Sequence, residues 1–555
     1  MADRYWVGGT GTWDATTTTN WSTSTGGSGG ASVPTAADNA IFDAGSDAGG
    51  IFTVTLSGTR LCLNITASAL DFTMTLGGTG ALTVSGNLSF PATNFSSTFT
   101  GGVTFNSTTT GKTITTNGNS INGNVTFNGV GGVWQLQDNL TILATRTTTL
   151  TNGTLDINSK VLSTGLFASS NTNTRVLAFG ASGSISITTT GNNNTLIDFT
   201  TTTSFSLTGT PAFLVTTSGS NARQFVFGAY FNEARSLNLY TGTTTVASSV
   251  VIPSSGTDTY ELDGRYNNID FTYSGSASGV NLSQNSTPTI YGNFKLATGM
   301  SEGGNGLSYT FASTSTGKTI NFNGLSSAGT VTLNGVGGGW ALDAALNMTA
   351  NNSTLTLTNG SFDAVTYNVT AFGFSMAAGT TLSMGSGTWT VSGTGAVWTA
   401  TAGATLNKNT ANIVLSSTSV AARTFAGGGY TYNKLTIGGT TGISTLTFTG
   451  SNTFSEFVST KTAAHTILFT AGTTTTVGTW SVKGTVGNIV TIGSVTAATH
   501  TLTKTGGGSI SADFSSISYS NAGPANTWYA PNSTDGGNNT GWLFYAPPVG
   551  MFLMF

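Results

Sequence analysis

Apolar and small polar residues alternate along nearly the whole of this chain, as in GTGALTVSGNLSF (Gly78–Phe90), TLTNGTLDI (Thr149–Ile157) and GISTLTFTGSNTF (Gly442–Phe454). A period of two places successive side chains on opposite faces of a strand, and the Gly and Asn residues between the runs mark turns. No stretch of 18 residues keeps a helical apolar period. The chain is therefore read as all-β. Its hydrophobic content of 37%, with 10% aromatic residues, supplies a core that a disordered chain of the same Ser/Thr/Gly bias would lack.

An internal duplication narrows the architecture. TFNSTTTGKTI (Thr104–Ile114) returns as TFASTSTGKTI (Thr310–Ile320), and VTFNGVGGVW ending at Trp134 returns as VTLNGVGGGW ending at Trp340, both 206 residues later. NARQFVFGAY (Asn221–Tyr230) matches AARTFAGGGY (Ala421–Tyr430) at an offset of 200. Short strands with no helical crossover fit a solenoid of stacked coils or a string of β-sandwiches. Sandwich strings carry linkers and breaks in composition, and this chain shows none. The expected fold is a right-handed parallel β-helix with capped ends; a string of β-sandwich domains is the alternative. Asn-Gly corners at Asn122-Gly123 and Asn152-Gly153 are expected to adopt positive φ. Trp134 and Trp340 are expected in equivalent settings beside their Gly-rich corners. The organisation reads as a capping or attachment segment over 1–50, a first solenoid repeat unit with insertions over 51–309, a second over 310–509, and a C-terminal cap with an apolar tail over 510–555.

Charge excludes several functions. Only 7% of the 555 residues are charged and the net charge is −3, so no basic stripe exists to hold nucleic acid. No segment is long and apolar enough to span a bilayer, so membrane insertion is not expected, and the opening MADRYWVGGTGTWD has no apolar stretch of signal-peptide type. A surface this poor in charge suits an assembly better than a free monomer. A homotrimer is expected, with the apolar tail Phe552, Leu553, Met554 and Phe555 buried between chains or against another virion protein.

Few motifs carry chemistry. TTTGKT (Thr108–Thr113) and TSTGKT (Thr314–Thr319) share the tail of a phosphate-binding loop, but Asn106 and Ala312 stand where that loop needs glycine, so both read as exposed turns. His465 and His500, in a short echo 35 residues apart, read as structural residues at equivalent points, and the lone Cys62 as a buried thiol. The densest acid cluster is Asp258, Glu261, Asp263 and Asp270, with Arg265, Tyr260 and Tyr266. Paired carboxylates can hydrolyse a glycan or hold Ca²⁺; a solvated coil edge is the plainer reading. Asp535 is a second calcium candidate that reads as a turn, and Thr-x-Thr runs raise ice binding without a constant spacing. Tyr260, Tyr266, Asn267 and Asn268, on a stretch expected to protrude, are the candidate glycan contacts. No catalytic residue, cofactor or metal site is expected.

The opening residues Trp6, Gly8, Gly11, Trp13, Asn20, Trp21, Val33, Pro34, Asp38, Ala40 and Phe42 resemble the first coil of autotransporter and haemagglutinin-type passenger β-solenoids, and of phage structural β-helix proteins. The closing segment Ile510–Phe544, with Trp528, Tyr529, Trp542 and Phe544, resembles the end of phage β-helical surface proteins. The resemblance implies a virion appendage of tail-fibre or tailspike type that attaches to host-surface glycans without cleaving them. A capsid head fibre, a bacterial surface adhesin and a polysaccharide depolymerase are the alternatives.

Overall fold

The computed structural model of the chain describes every residue except 192–193, 219–221, 243, 254–257, 273–279, 304–306, 328, 351, 440–444 and 546–555. The tail Phe552–Phe555 lies outside the described residues. The chain is an all-β parallel solenoid of about 20 turns, divided into compact units Met1–Ser283 and Gln284–Phe555. The sandwich alternative falls because strands pair in parallel with the next coil rather than antiparallel with a sequence neighbour.

In the first unit, Val103–Phe105, Val125–Leu136 and Thr147–Asp156 stack on one wall, and Leu140–Ile142, Val161–Thr164 and Ser184–Ile187 on another. Phe105 pairs with Phe127 and Phe127 with Leu150, which sets a coil of 22 to 23 residues. Parallel pairing brings each inward side chain over the one before it, roughly 4.8 Å along the axis. Alternation then becomes a stack: Phe105 and Phe127 lie 5.1 Å apart and nearly coplanar, against Trp134. In the second unit Trp398, Phe425, Phe448 and Phe469 form a longer aromatic column. Outward polar residues stack too, as Asn39–Asn64, Asn128–Asn152 and Asn334–Asn359 amide pairs, each at 2.7 Å.

The duplicated Trp residues meet the expectation. Lys112 pairs with Trp134 and Lys318 with Trp340, both indoles are buried, and each lies under its Gly-rich corner. A Cβ on Gly129 would sit 2.6 Å from the Trp134 ring, and one on Gly335 2.9 Å from Trp340. The two Asn-Gly corners differ. Gly153 has φ +75°, as expected, whereas Gly123 is required because a Cβ would meet the Gly101 carbonyl at 1.7 Å. The Thr108–Gly111 and Thr314–Gly317 segments are exposed turns, and Cys62 is a buried free thiol.

Both ends are closed by aromatic residues. Asp3–Trp6 pairs antiparallel with Trp21–Ser22, which folds Trp6, Trp13 and Trp21 over Phe42 with ring separations of 5.1 to 6.2 Å. At the other end Trp528 packs on Trp480 and Trp542. Such rings exclude water from the open ends of the stack.

The histidines are buried as expected but do not occupy equivalent points. His465 pairs with Val490 on one sheet and His500 with Ser520 on another, because a 35-residue step is not a whole number of coils. His465 meets the Ala463 carbonyl at 2.9 Å and the Ser459 hydroxyl at 3.0 Å. His500 packs on Phe469, and neither of its ring nitrogens has a hydrogen-bond partner. Burial lowers its pKa to about 4 and lowers that of His465 as well. The unfolded chain takes up these protons near pH 6.5, so the stability that neutral His500 contributes is complete above that pH and is lost as pH falls towards 4. The loss for His500 is on the order of 3 kcal/mol. Thermal unfolding is expected to show a lower midpoint at pH 4.5 than at pH 7, with the difference reduced in His500→Phe.

Candidate functional site

The predicted acid and aromatic cluster lies on two successive strands, Thr259–Asp263 and Arg265–Asp270, separated by Gly264. Strand parity divides it. Asp258, Tyr260, Leu262, Tyr266 and Ile269 are fully buried, while Glu261, Asp263, Asn267, Asn268 and Asp270 remain half-exposed. Tyr260 and Tyr266 therefore cannot offer their faces to a sugar, and the stretch is coil wall rather than a protrusion. Tyr260 stacks on Phe225 at 5.6 Å and donates its hydroxyl to Asp258 at 3.0 Å. Tyr266 meets Phe227 edge-on at 5.5 Å.

The carboxylates have separate structural partners. Asp258 faces Arg223 inside the coil, Nη1 to Oδ2 3.9 Å, with both side chains fully buried. Glu261 accepts from Gln224 at 3.1 Å, whose own amide oxygen accepts from Thr195. Asp270 accepts from the backbone and hydroxyl of Thr272. Asn267 and Asn268 both donate to the Asn238 side chain, at 3.1 and 3.0 Å. Asp535 accepts from Gly537 and Asn539 in a turn. No group of three or more metal-ligating side chains occurs among the described residues.

A concave site lies beside this cluster, where sequence reading did not place it. Strand Ala222–Phe227 is followed by Gly228–Ser236, an irregular loop, and then by strand Leu237–Thr241. In the duplicated segment Tyr430 leads straight into strand Thr431–Ile437, with no loop between, so the step from the tyrosine to the end of the next strand is 7 residues there and 11 here, four longer. The two tyrosines keep one role: Tyr230 bridges the backbone of Leu207 through its hydroxyl, as Tyr430 bridges Ala404. The inserted loop is fixed from within. Phe231 is buried against Phe199, Phe227 and Tyr230, and Asn232 accepts from the backbone of Arg235 and Ser236 through its carbonyl. Arg265 of the predicted cluster donates to the Ala229 and Phe231 carbonyls at 3.3 and 3.4 Å. Tyr266 and Arg265 thus support the site rather than form it.

The loop sets the Arg235 guanidinium 4.4 Å over the Tyr230 ring, within cation–π range. Arg235 is exposed and makes no ion pair among the described residues. Clefts open on both sides of this ridge. One, of about 210 Å³, lies against Leu207, Pro211, Ser236 and Ser248; the Ser236 hydroxyl is buried there without a partner. The other, of about 450 Å³, is lined by the hydroxyl run Thr200–Thr203 and Ala229. A planar cation, a half-buried ring and several hydroxyls suit reversible binding of a polyhydroxylated ligand, with Arg235 able to hold an oxygen acceptor by two N–H groups. The signal in the sequence was the insertion itself, since repeat proteins place such insertions on loops of one face.

No family model, curated protein or solved structure matches the chain.

The buried Arg223–Asp258 pair yields a clear expectation. Removing the carboxylate leaves an uncompensated charge in the core, which costs about 3–5 kcal/mol. Asp258→Ala is expected to unfold at much lower denaturant than the parent chain, whereas Glu261→Gln on the outer face shifts the midpoint little.

Proposed function

We propose that this chain is a structural attachment protein of a bacteriophage particle, a β-solenoid appendage that binds host-surface glycans non-covalently at the Tyr230–Arg235 clefts. The observation that carries the reading is the loop 231–236, which stands where the duplicated segment runs straight into a strand and builds a ring, a free guanidinium and hydroxyls into one concave site. Sugars present apolar ring faces and many hydroxyls, and this combination answers both. The low charge of the chain and the resemblance of its two ends to virion β-helices support placement in a particle, with the chain assembled as a homotrimer.

Binding of purified protein to host cells tests the site. Tyr230→Ala with Arg235→Ala is expected to weaken adsorption by about tenfold or more, the scale of a lost interaction anchor. Unchanged adsorption would remove the clefts from the function, and release of shortened saccharides by the parent chain would replace attachment with cleavage. Antibody labelling of intact particles in the electron microscope checks the location.

A further inference from the structure

Three buried arginines share one local pattern, each six residues after a hydroxyl-bearing residue: Ser169 and Arg175, Thr217 and Arg223, Ser417 and Arg423. Each opens a strand, Arg175–Ala178, Ala222–Phe227 or Arg423–Ala426, within its first two positions, and each is 0–1% exposed. A guanidinium carries five N–H donors, and a buried one needs acceptors for them. Arg175 has them. It donates to the carbonyls of Ser169, Asn171, Asn173, Thr201 and Thr203, and to the Ser169 hydroxyl. Arg223 donates to the Thr189 and Thr217 carbonyls and faces Asp258, with only its Nε left without a partner.

Arg423 differs. Its Nη2 reaches the Ser392 carbonyl at 3.4 Å, while Nε and Nη1 are buried without any partner. No carboxylate pairs with it among the described residues. Ser392, whose carbonyl Arg423 bonds, lines an open groove of about 650 Å³. Ser392, Thr394, Ser416, Ser417 and Ser419 line this groove with hydroxyls, and the half-exposed ring of Phe372 forms one side. Arg423 also pairs in register with Gly395, next to Thr394.

We propose that this groove is a second ligand site, independent of the Tyr230 clefts, and that it takes an acidic saccharide. The Phe372 ring meets the sugar face and the serine and threonine hydroxyls meet its hydroxyl groups. The carboxylate is held at the Ser392 side of the groove, where Arg423 bonds the Ser392 carbonyl and no carboxylate among the described residues neutralises its charge. Potential from a buried charge is screened less than that of a surface lysine, so a groove without any surface cation still discriminates by charge. The class of ligand is a uronic-acid oligosaccharide or a sugar bearing an equivalent anionic group.

The test uses two probes that share one sugar backbone, trigalacturonate and its uncharged methyl ester. Calorimetric titration is run on the full chain carrying Tyr230→Ala and Arg235→Ala, so that the other site contributes no cation. The acid is expected to bind about tenfold more tightly than the ester at low salt, with the gap closing as salt rises. Phe372→Ala is expected to weaken both probes. Arg423→Met is expected to abolish the gap while leaving ester binding unchanged. Equal affinity for acid and ester, a gap that survives Arg423→Met, or no binding of either probe would overturn the proposal. Because Phe372 is on the surface and the salt series needs no substitution at Arg423, the test stands even where Arg423→Met does not fold. The Tyr230 clefts are judged separately, by adsorption to cells.

Discussion

In-register parallel hydrogen bonding between successive coils is the constraint on which the rest of this structure depends. Once Phe105 is paired to Phe127 and Phe425 to Phe448, every inward position must be filled by a group that tolerates a copy of its own kind one strand spacing away. Flat rings and branched aliphatic side chains do so by stacking, and outward amides do so by bonding in a row, as in Asn128 to Asn152. The scarcity of charge follows from the same rule. Stacked like charges repel at this spacing, whereas stacked Thr, Ser and Asn are neutral or attractive.

The corners hold the difficult chemistry. Each coil must turn its backbone through a bend where carbonyls point inward without a strand partner, and buried carbonyls need donors. The chain solves this repeatedly with an arginine drawn into the coil, as Arg175 does by binding five carbonyls around its corner. Where the carbonyls are fewer, a carboxylate offsets the charge, as Asp258 does for Arg223, whose Nε still lacks a partner. A device that stabilises a bend thus also places a positive charge under the wall, and its effect outside depends on how far the local acceptors neutralise it.

Irregularity in this fold has a limited range of places. Walls cannot change without breaking a ladder on both sides, so an added segment must leave at a bend and return at the next strand. The loop 228–236 does this between Ala222–Phe227 and Leu237–Thr241, and the aromatic residues behind it hold it in one arrangement. Binding surface is gained on the outside while the core register is kept.

The sequence by itself determined the class of fold, the turn-rich coils, the burial of Cys62 and both histidines, and the matched settings of Trp134 and Trp340. All of these follow from alternation and duplication, which are local or repeated patterns. It did not determine the side of the wall on which Tyr260 and Tyr266 fall, because alternation shows which residues share a face but not which face is the core at an irregular strand break such as Gly264. Nor did it show that Arg223 and Asp258 meet, since the coil between them is longer than its neighbours and the pairing is set by the stack. The Tyr230–Arg235 ridge was legible only as an insertion against Tyr430; its geometry required Phe199 and Arg265 to be brought to the loop from two different coils. Local spacing encodes the strand, but the contacts that make a site lie between coils, and only the tertiary structure decides which coils those are.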